Sequence, residues 1–190
     1  MSLLVLGLVL FLGVHSVSIV SHQWRDATAA RLGEWTWKGL YSVVAVCGLV
    51  LIIAGYGLAR QDPTVLYTPP AWLRHLSMLL LIVVFPMLLA AYLPGRIKGA
   101  LKHPMLVAVK AWALAHLLVN GMLADLLLFG GFLAWAVVDR ISLKRRPARP
   151  VPALPKTKAN DAIAVVGGLA IYVVFVVWAH EWLIGVPVAG

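Results

Sequence analysis

Long apolar stretches alternate with short polar segments along the whole chain. Six of the apolar stretches approach the roughly 20 residues that a helix needs to cross a bilayer. They cover residues 2–20, 38–59, 71–93, 105–120, 121–138 and 159–186. The pattern predicts an all-α polytopic membrane protein with six transmembrane helices, which form a single domain over residues 1–190.

Turn-forming residues inside the apolar stretches predict local features. Asn120-Gly121 is a strong turn signal and predicts a tight helical hairpin between the fourth and fifth helices. Pro86 predicts a kink in the third helix, because proline cannot donate a backbone hydrogen bond. The Gly167-Gly168 pair predicts a close approach of a neighbouring helix to the last one.

Composition and charge support the membrane assignment and suggest an orientation. Hydrophobic residues make up 62% of the chain and charged residues 12%, whereas a soluble domain averages roughly 25% charged residues. The chain has 16 Lys and Arg against 7 Asp and Glu, and most of the basic residues lie in the first, third and fifth predicted loops. The positive-inside rule places these loops in the cytoplasm and both termini outside.

Two of the cytoplasmic loops have expected roles of their own. Residues 21–37 contain Trp24, Trp35 and Trp37 and predict a short interfacial helix. Residues 140–158 form a basic, proline-rich cytoplasmic loop that we expect to lie against anionic lipid headgroups. The lipid bilayer is therefore an expected partner, and nucleic acid is not.

Polar side chains also occur inside the apolar stretches, where they are costly and usually mark a site. In the fourth stretch Trp112, His116 and Asn120 are spaced i, i+4 and i+8, so they share one helix face. Lys110 lies on a different face of the same stretch, and His103 lies at its cytoplasmic start.

A second histidine and a carboxylate extend this constellation. If the hairpin turns at Asn120-Gly121, Asp125 lies at the depth of His116 and can accept its second N–H, as partners of metal-bound histidines do. His15 lies about five residues from the cytoplasmic end of the first stretch. Histidine is the commonest neutral metal ligand, and two histidines can hold a haem iron axially.

The residues alone leave several interpretations open. Each histidine could serve only to hydrogen-bond a neighbouring helix, and Lys110 could pair with Asp125 or Asp139 or extend to the interface. A transporter with a proton path through Lys110, Asp125 and His116 is a further alternative. No role is assigned to His22, His75 and His180.

Three segments carry a resemblance to the NnrU family over nearly the whole length of the chain. They are LGLVLFLGVHS at the start, KHPMLVAVKAWALAHLLVNGMLADLLLFGGFLAWAVVDRISLKRR in the middle and AHEWLIGV near the end. The family is associated with nitrite and nitric oxide reduction in denitrifying bacteria. The resemblance implies a multi-pass protein of the bacterial inner membrane, with denitrification enzymes as expected partners. A non-enzymatic accessory role in that pathway is one function it implies.

NnrU proteins are also similar to the plant 15-cis-zeta-carotene isomerases, which are membrane proteins that use haem b. The isomerase motif is matched here by His103-Pro104, Trp112 and Ala115-His116. The resemblance implies haem b as cofactor, and a haem-dependent isomerase of a hydrophobic small molecule or a redox or nitric oxide component as function.

The isomerase resemblance also implies a ligand set, and one position departs from it. It makes His15 and His116 the axial haem ligands. The isomerases have a cysteine three residues before the second histidine, where this chain has Ala113, so the resemblance supports haem binding more than isomerase chemistry. The candidate cofactor-binding residues are His15, His116, Asp125, Trp112, Asn120, Lys110 and His103.

Overall fold

The computed structural model describes residues 1–147, 149 and 151–188. These residues form ten α-helices and one π-helical turn, and their only strand-like element is one antiparallel bridge between Val65 and Met122. The helices are α1 Ser2–Val20, α2 His22–Leu32, α3 Glu34–Ala59, α4 Leu73–Leu81, α5 Val84–Tyr92, α6 Arg96–Leu101, α7 Pro104–Val119, α8 Leu123–Ser142, α9 Asn160–Val174 and α10 His180–Ile184, with the π-turn Phe175–Ala179 between the last two. The all-α prediction is confirmed.

Four segments of the described chain are long and apolar enough to cross a membrane. They are α1, α3, the α4–α5 segment Leu73–Tyr92, and Asn160–Ile184. The fourth predicted span corresponds to α7, whose 16 residues reach only about 24 Å at 1.5 Å per residue. The fifth corresponds to α8, which has 20 residues but contains Asp125, Asp139 and Arg140. The six-span count and the orientation of the termini stay predictions.

The outer faces of these long helices consist of exposed aliphatic side chains. Val43 on α3 is 62% exposed, Ile53 on α3 is 65% exposed, and Val166 on α9 is 67% exposed. A soluble protein rarely leaves continuous apolar faces open to water. These helices are therefore compatible with association with a lipid bilayer.

Contacts divide the described residues into two compact units. The N-terminal unit comprises the described residues within 1–69 and 120–148, and the C-terminal unit comprises those within 70–119 and 149–190. Each unit contains its own packed helices, and the prediction of a single domain over 1–190 stays a prediction.

The N-terminal unit is built on the close packing of α1 against α3. Gly48 lies so near α1 that a Cβ atom there would be 2.7 Å from the backbone nitrogen of Phe11. At Gly55 a Cβ atom would collide with the backbone of Leu4, which is fully buried. Small residues let membrane helices approach at backbone distance. Helix α8 of the same unit packs on α1, where the Phe11 and Phe132 rings lie 5.6 Å apart.

The C-terminal unit shows the two features that the sequence predicted for its helices. Helix α4 ends at Leu81 and α5 begins at Val84, because Pro86 has no N–H to donate to the carbonyl four residues earlier. Gly168 on α9 lies directly against the backbone of Pro86. The predicted kink and the predicted close approach are both confirmed.

The start of α9 is tied to the α5–α6 connection by polar side chains. The carboxylate of Asp161 accepts hydrogen bonds from the backbone nitrogens of Arg96 (2.8 Å) and Ile97 (3.1 Å). Asn160 is buried and donates to the carbonyl of Pro94 over 2.9 Å. These bonds satisfy backbone groups that the helix ends would otherwise leave unpaired.

The first predicted loop contains the short helix that its sequence indicated. Helix α2 begins after Ser21, whose hydroxyl accepts a hydrogen bond from the backbone N–H of Trp24 over 3.2 Å, as an N-cap serine does. The Trp24 and Trp37 rings pack edge to face at 6.1 Å. The helix is confirmed, and its position at the membrane interface stays a prediction.

Candidate functional site

His15 lies among aromatic rings in the N-terminal unit. Its imidazole stacks on Phe11 with 4.2 Å between ring centroids. The edges of Tyr41 on α3 (5.2 Å) and Trp135 on α8 (5.9 Å) complete the surroundings. We call these four residues the His15 cluster. Three helices of this unit, α1, α3 and α8, contribute to it, so their packing fixes the position of the imidazole.

The proton of the His15 ring is assigned by its hydrogen bond. Nδ1 lies 2.6 Å from the carbonyl oxygen of Phe11, one turn earlier on α1. A carbonyl can only accept, so Nδ1 carries a hydrogen, and in the neutral imidazole Nε2 then carries the lone pair. Nε2 makes no hydrogen bond within the described part of the chain. A neutral imidazole held in this way presents Nε2 as a potential metal ligand.

An ion pair lies next to the His15 cluster. Nη2 of Arg146 donates to Oδ1 of Asp139 over 2.6 Å, and the two side chains are only 13% and 11% exposed. The other terminal nitrogen of Arg146, Nη1, and the indole nitrogen of Trp135 are both buried and have no acceptor among the described residues. Arg146, and not Lys110, is therefore the partner of Asp139.

In the C-terminal unit, α7 holds His116 in the same way as α1 holds His15. Nδ1 of His116 donates to the carbonyl of Trp112 over 2.8 Å, which leaves the lone pair on Nε2. The rings of the two residues lie 5.4 Å apart, so the predicted shared face is confirmed for this pair. Ala113 and Ala115 are fully buried on the same helix.

Asp125 is fully buried and both of its oxygens are used inside the N-terminal unit. Oδ1 accepts from the hydroxyl of Tyr56 on α3 over 2.6 Å, and Oδ2 accepts from the backbone N–H of Met122 over 2.9 Å. The second bond caps the start of α8. The hydrogen bond from His116 to Asp125 stays a prediction.

The turn before α8 is anchored to the segment that follows α3. The carbonyl of Gly121 accepts from the backbone nitrogens of Leu66 (2.8 Å) and Tyr67 (3.2 Å), and the Tyr67 hydroxyl donates to the carbonyl of Asn120 over 2.7 Å. A Cβ atom at position 121 would collide with the carbonyl of Tyr67. We call this set of bonds, together with Tyr56 and Asp125, the Asp125 clamp.

The remaining sequence candidates have less specific surroundings. His103 precedes α7, is half-buried, and donates its backbone N–H to Leu101 over 2.7 Å. Lys110 is half-buried and makes no ion pair within the described residues. His75 is exposed, and Nδ1 of His180 donates to the carbonyl of Val186 over 2.7 Å. No group of three or more His, Cys, Asp or Glu side chains suited to a metal ion occurs in the described ranges.

The structure adds four site residues that the sequence did not single out as such: Tyr41, Tyr56, Trp135 and Arg146. Tyr41 and Tyr56 are the two tyrosines of α3, which is mostly apolar. Trp135 lies on the stripe of α8 that also holds Asp125 and Asp139. A search for polar groups on the apolar helices would have found all but Arg146, which follows the end of α8.

These features describe an all-helical membrane protein in which two histidines, one in each unit, have a fixed tautomer. A family model described as NnrU protein matches residues 3–188 of the chain, and the chain belongs to this family. Comparisons with curated proteins and with solved structures give no match.

Proposed function

We propose that this NnrU-family protein binds haem b, with Nε2 of His15 and Nε2 of His116 as the iron ligands. The observation that carries the proposal is the fixed tautomer of His15 inside an aromatic cluster. An axial histidine must be neutral and must be oriented by a hydrogen bond from its other nitrogen. Helices α1 and α7 both meet this requirement through a carbonyl one turn earlier.

The surroundings of His15 fit a large flat apolar cofactor. Phe11, Tyr41 and Trp135 offer aromatic surface around the His15 imidazole, and aromatic side chains pack well on other flat rings. The carbonyl of Trp112 already orients His116, so the proposal does not require Asp125 for that task. Trp112, Asn120, Lys110 and His103 remain proposed neighbours of the cofactor.

Bound haem b would supply a redox-active iron, and with both histidines as ligands nitric oxide would bind only in place of one of them. Position 113, where the isomerases have a cysteine, is a fully buried alanine. A thiolate ligand is therefore not offered at this position, and we place redox or nitric oxide chemistry before isomerisation of a hydrophobic substrate. We also propose the bacterial inner membrane as the location, with both termini outside.

The absorption spectrum of the purified full-length protein tests this function. Expressed with added haem precursor and purified in mild detergent, the protein should show a Soret band. His15→Ala and His116→Ala should each lower the haem content per protein severalfold, because each removes one of two ligands. His75→Ala, which changes an exposed histidine, is the matched control. A wild-type protein without a Soret band after haem supplementation contradicts the proposal.

A second proposal is a non-enzymatic accessory role in nitrite and nitric oxide reduction. It is favoured by the fact that Asp125, Asn160 and Asp161 all hold backbone groups of the chain itself. Deletion of the gene should then lower both reductase activities and their cofactor loading. Full activity with full cofactor loading in the deletion strain would exclude this role.

A further inference from the structure

Two buried hydrogen-bond donors, one in the His15 cluster and one in the adjacent ion pair, have no acceptor in the described part of the chain. Nη1 of Arg146 and Nε1 of Trp135 are both enclosed, and the described residues provide no partner for either. Buried polar groups are almost always paired. A buried guanidinium nitrogen is especially costly to leave unpaired, because it shares a positive charge. The two donors therefore point to an acceptor that a ligand provides.

Both donors flank the same residue, Asp139. Trp135 lies one turn before it on α8, and Nη2 of Arg146 donates to its carboxylate. The stretch 139–146 contains four basic residues and this one acidic residue, so the local charge favours an anion even with the ion pair formed. The Trp135 ring also contacts His15 at 5.9 Å, so an anion bound here lies close to the aromatic cluster.

We propose that Arg146 and Trp135 form an oxyanion-binding site that takes the carboxylate or phosphate group of an amphiphilic molecule. A guanidinium that is already held on one side presents its second N–H group in a fixed direction, which suits a carboxylate or phosphate oxygen. The carboxylates of haem are one source, and in that case the inference rests on the proposed function. The phosphate of a phospholipid headgroup is the other source, and it is independent of haem.

The variants must separate the loss of the Arg146 donor from the loss of the ion pair between Arg146 and Asp139. Arg146→Gln alone would leave Asp139 charged and buried without its partner. We therefore compare Asp139→Asn, which keeps Arg146, with the double variant Asp139→Asn/Arg146→Gln, which removes both charges. Trp135→Phe removes the indole N–H and keeps a smaller aromatic ring against His15. Arg31→Gln changes an exposed arginine on α2 and controls for total charge.

The first arm titrates the purified full-length protein with haem b and with its dimethyl ester, which has no carboxylates. For haem b, the double variant should bind at least about tenfold more weakly than Asp139→Asn, because a charged hydrogen bond is lost. Trp135→Phe should bind haem b about threefold more weakly than wild type does, because one hydrogen bond is lost. The dimethyl ester should bind Asp139→Asn and the double variant equally.

The second arm counts phospholipids retained in native mass spectrometry. Wild type and Asp139→Asn should retain phosphatidylglycerol in excess over phosphatidylcholine, and the double variant should lose about one bound phosphatidylglycerol. Arg31→Gln should behave as wild type does. Loss in this arm alone assigns the site to lipid phosphate, and loss in the haem arm alone assigns it to haem carboxylate.

The two proposals fail in different ways. If wild type binds no haem but the double variant loses a phosphatidylglycerol, the haem function is wrong and the oxyanion site stands. If wild type binds haem, and neither arm distinguishes the double variant from Asp139→Asn or Trp135→Phe from wild type, the oxyanion site is overturned and the haem function stands.

Discussion

Two carboxylates lie on the same stripe of α8, and the protein uses them differently. Asp125 has both oxygens bonded, one to the Tyr56 hydroxyl and one to the backbone of Met122. Asp139 instead pairs with Arg146, a residue beyond the helix end, and Nη1 of Arg146 and Nε1 of Trp135 are buried with no acceptor among the described residues. The contrast suggests that Asp125, whose oxygens are both paired with groups of the chain, stabilises the fold. The unpaired donors near Asp139 instead indicate that a ligand can bind there.

The largest expected effect comes from removing the first carboxylate. Asp125→Ala should lower the free energy of unfolding by about 2–4 kcal/mol, because it leaves the Tyr56 hydroxyl and the Met122 N–H buried without partners. Chemical unfolding of the purified protein in detergent measures this loss. Asp125→Asn keeps one acceptor oxygen and should lose about half as much. If Asp125→Ala lowered the free energy of unfolding by less than about 0.5 kcal/mol, Asp125 would not have the structural role assigned to it.

Removing the second carboxylate should cost less. Asp139→Ala is expected to lower the free energy of unfolding by about 1–2 kcal/mol, because the long side chain of Arg146 can extend towards the polar interface. The same unfolding measurement applies. The double variant Asp139→Asn/Arg146→Gln should recover part of the loss, since no buried charge remains. If Asp139→Ala cost more than Asp125→Ala, the contrast between the two carboxylates would be wrong.

Local features of the fold could be predicted from the sequence, and pairings between distant residues could not. Residues 2–20 form a helix with the predicted bounds, because an uninterrupted aliphatic run leaves few alternatives in a bilayer. Helices are interrupted near Pro86, which lacks a backbone N–H, and at Asn120-Gly121, which favours a turn. The π-turn Phe175–Ala179 has no corresponding signal that we can identify.

The candidate site shows the same division. The face shared by Trp112 and His116 follows from helical spacing. The bond between Tyr56 and Asp125 joins residues 69 positions apart, and the ring contacts of His15 come from three helices. Such contacts depend on how helices pack, which the apolar pattern of each helix does not specify.

A smaller effect is expected from the hydroxyl that binds Asp125. Tyr56→Phe should lower the free energy of unfolding by about 1 kcal/mol, because Oδ1 loses its donor while Oδ2 keeps the Met122 N–H. The ring and its packing on Phe129 remain. Tyr92→Phe removes a hydroxyl from an exposed side chain and should leave the unfolding free energy unchanged. Equal losses in both variants would argue against the Asp125 clamp.

The smallest expected effect is a pH dependence at the edge of the same clamp. Partial burial, and then the charge of Asp125, raise the pKa of Tyr67 above its usual value of 10.0. The folded protein therefore holds this proton more tightly than the unfolded chain, and the resulting stabilisation is complete below pH 10 and lost as the pH rises through the raised pKa. Tyr67→Phe should make the unfolding midpoint less sensitive to pH above 10 than that of wild type, whereas Tyr92→Phe should follow wild type. Identical pH profiles for Tyr67→Phe and wild type would show that the hydroxyl bonded to Asn120 does not couple to the clamp.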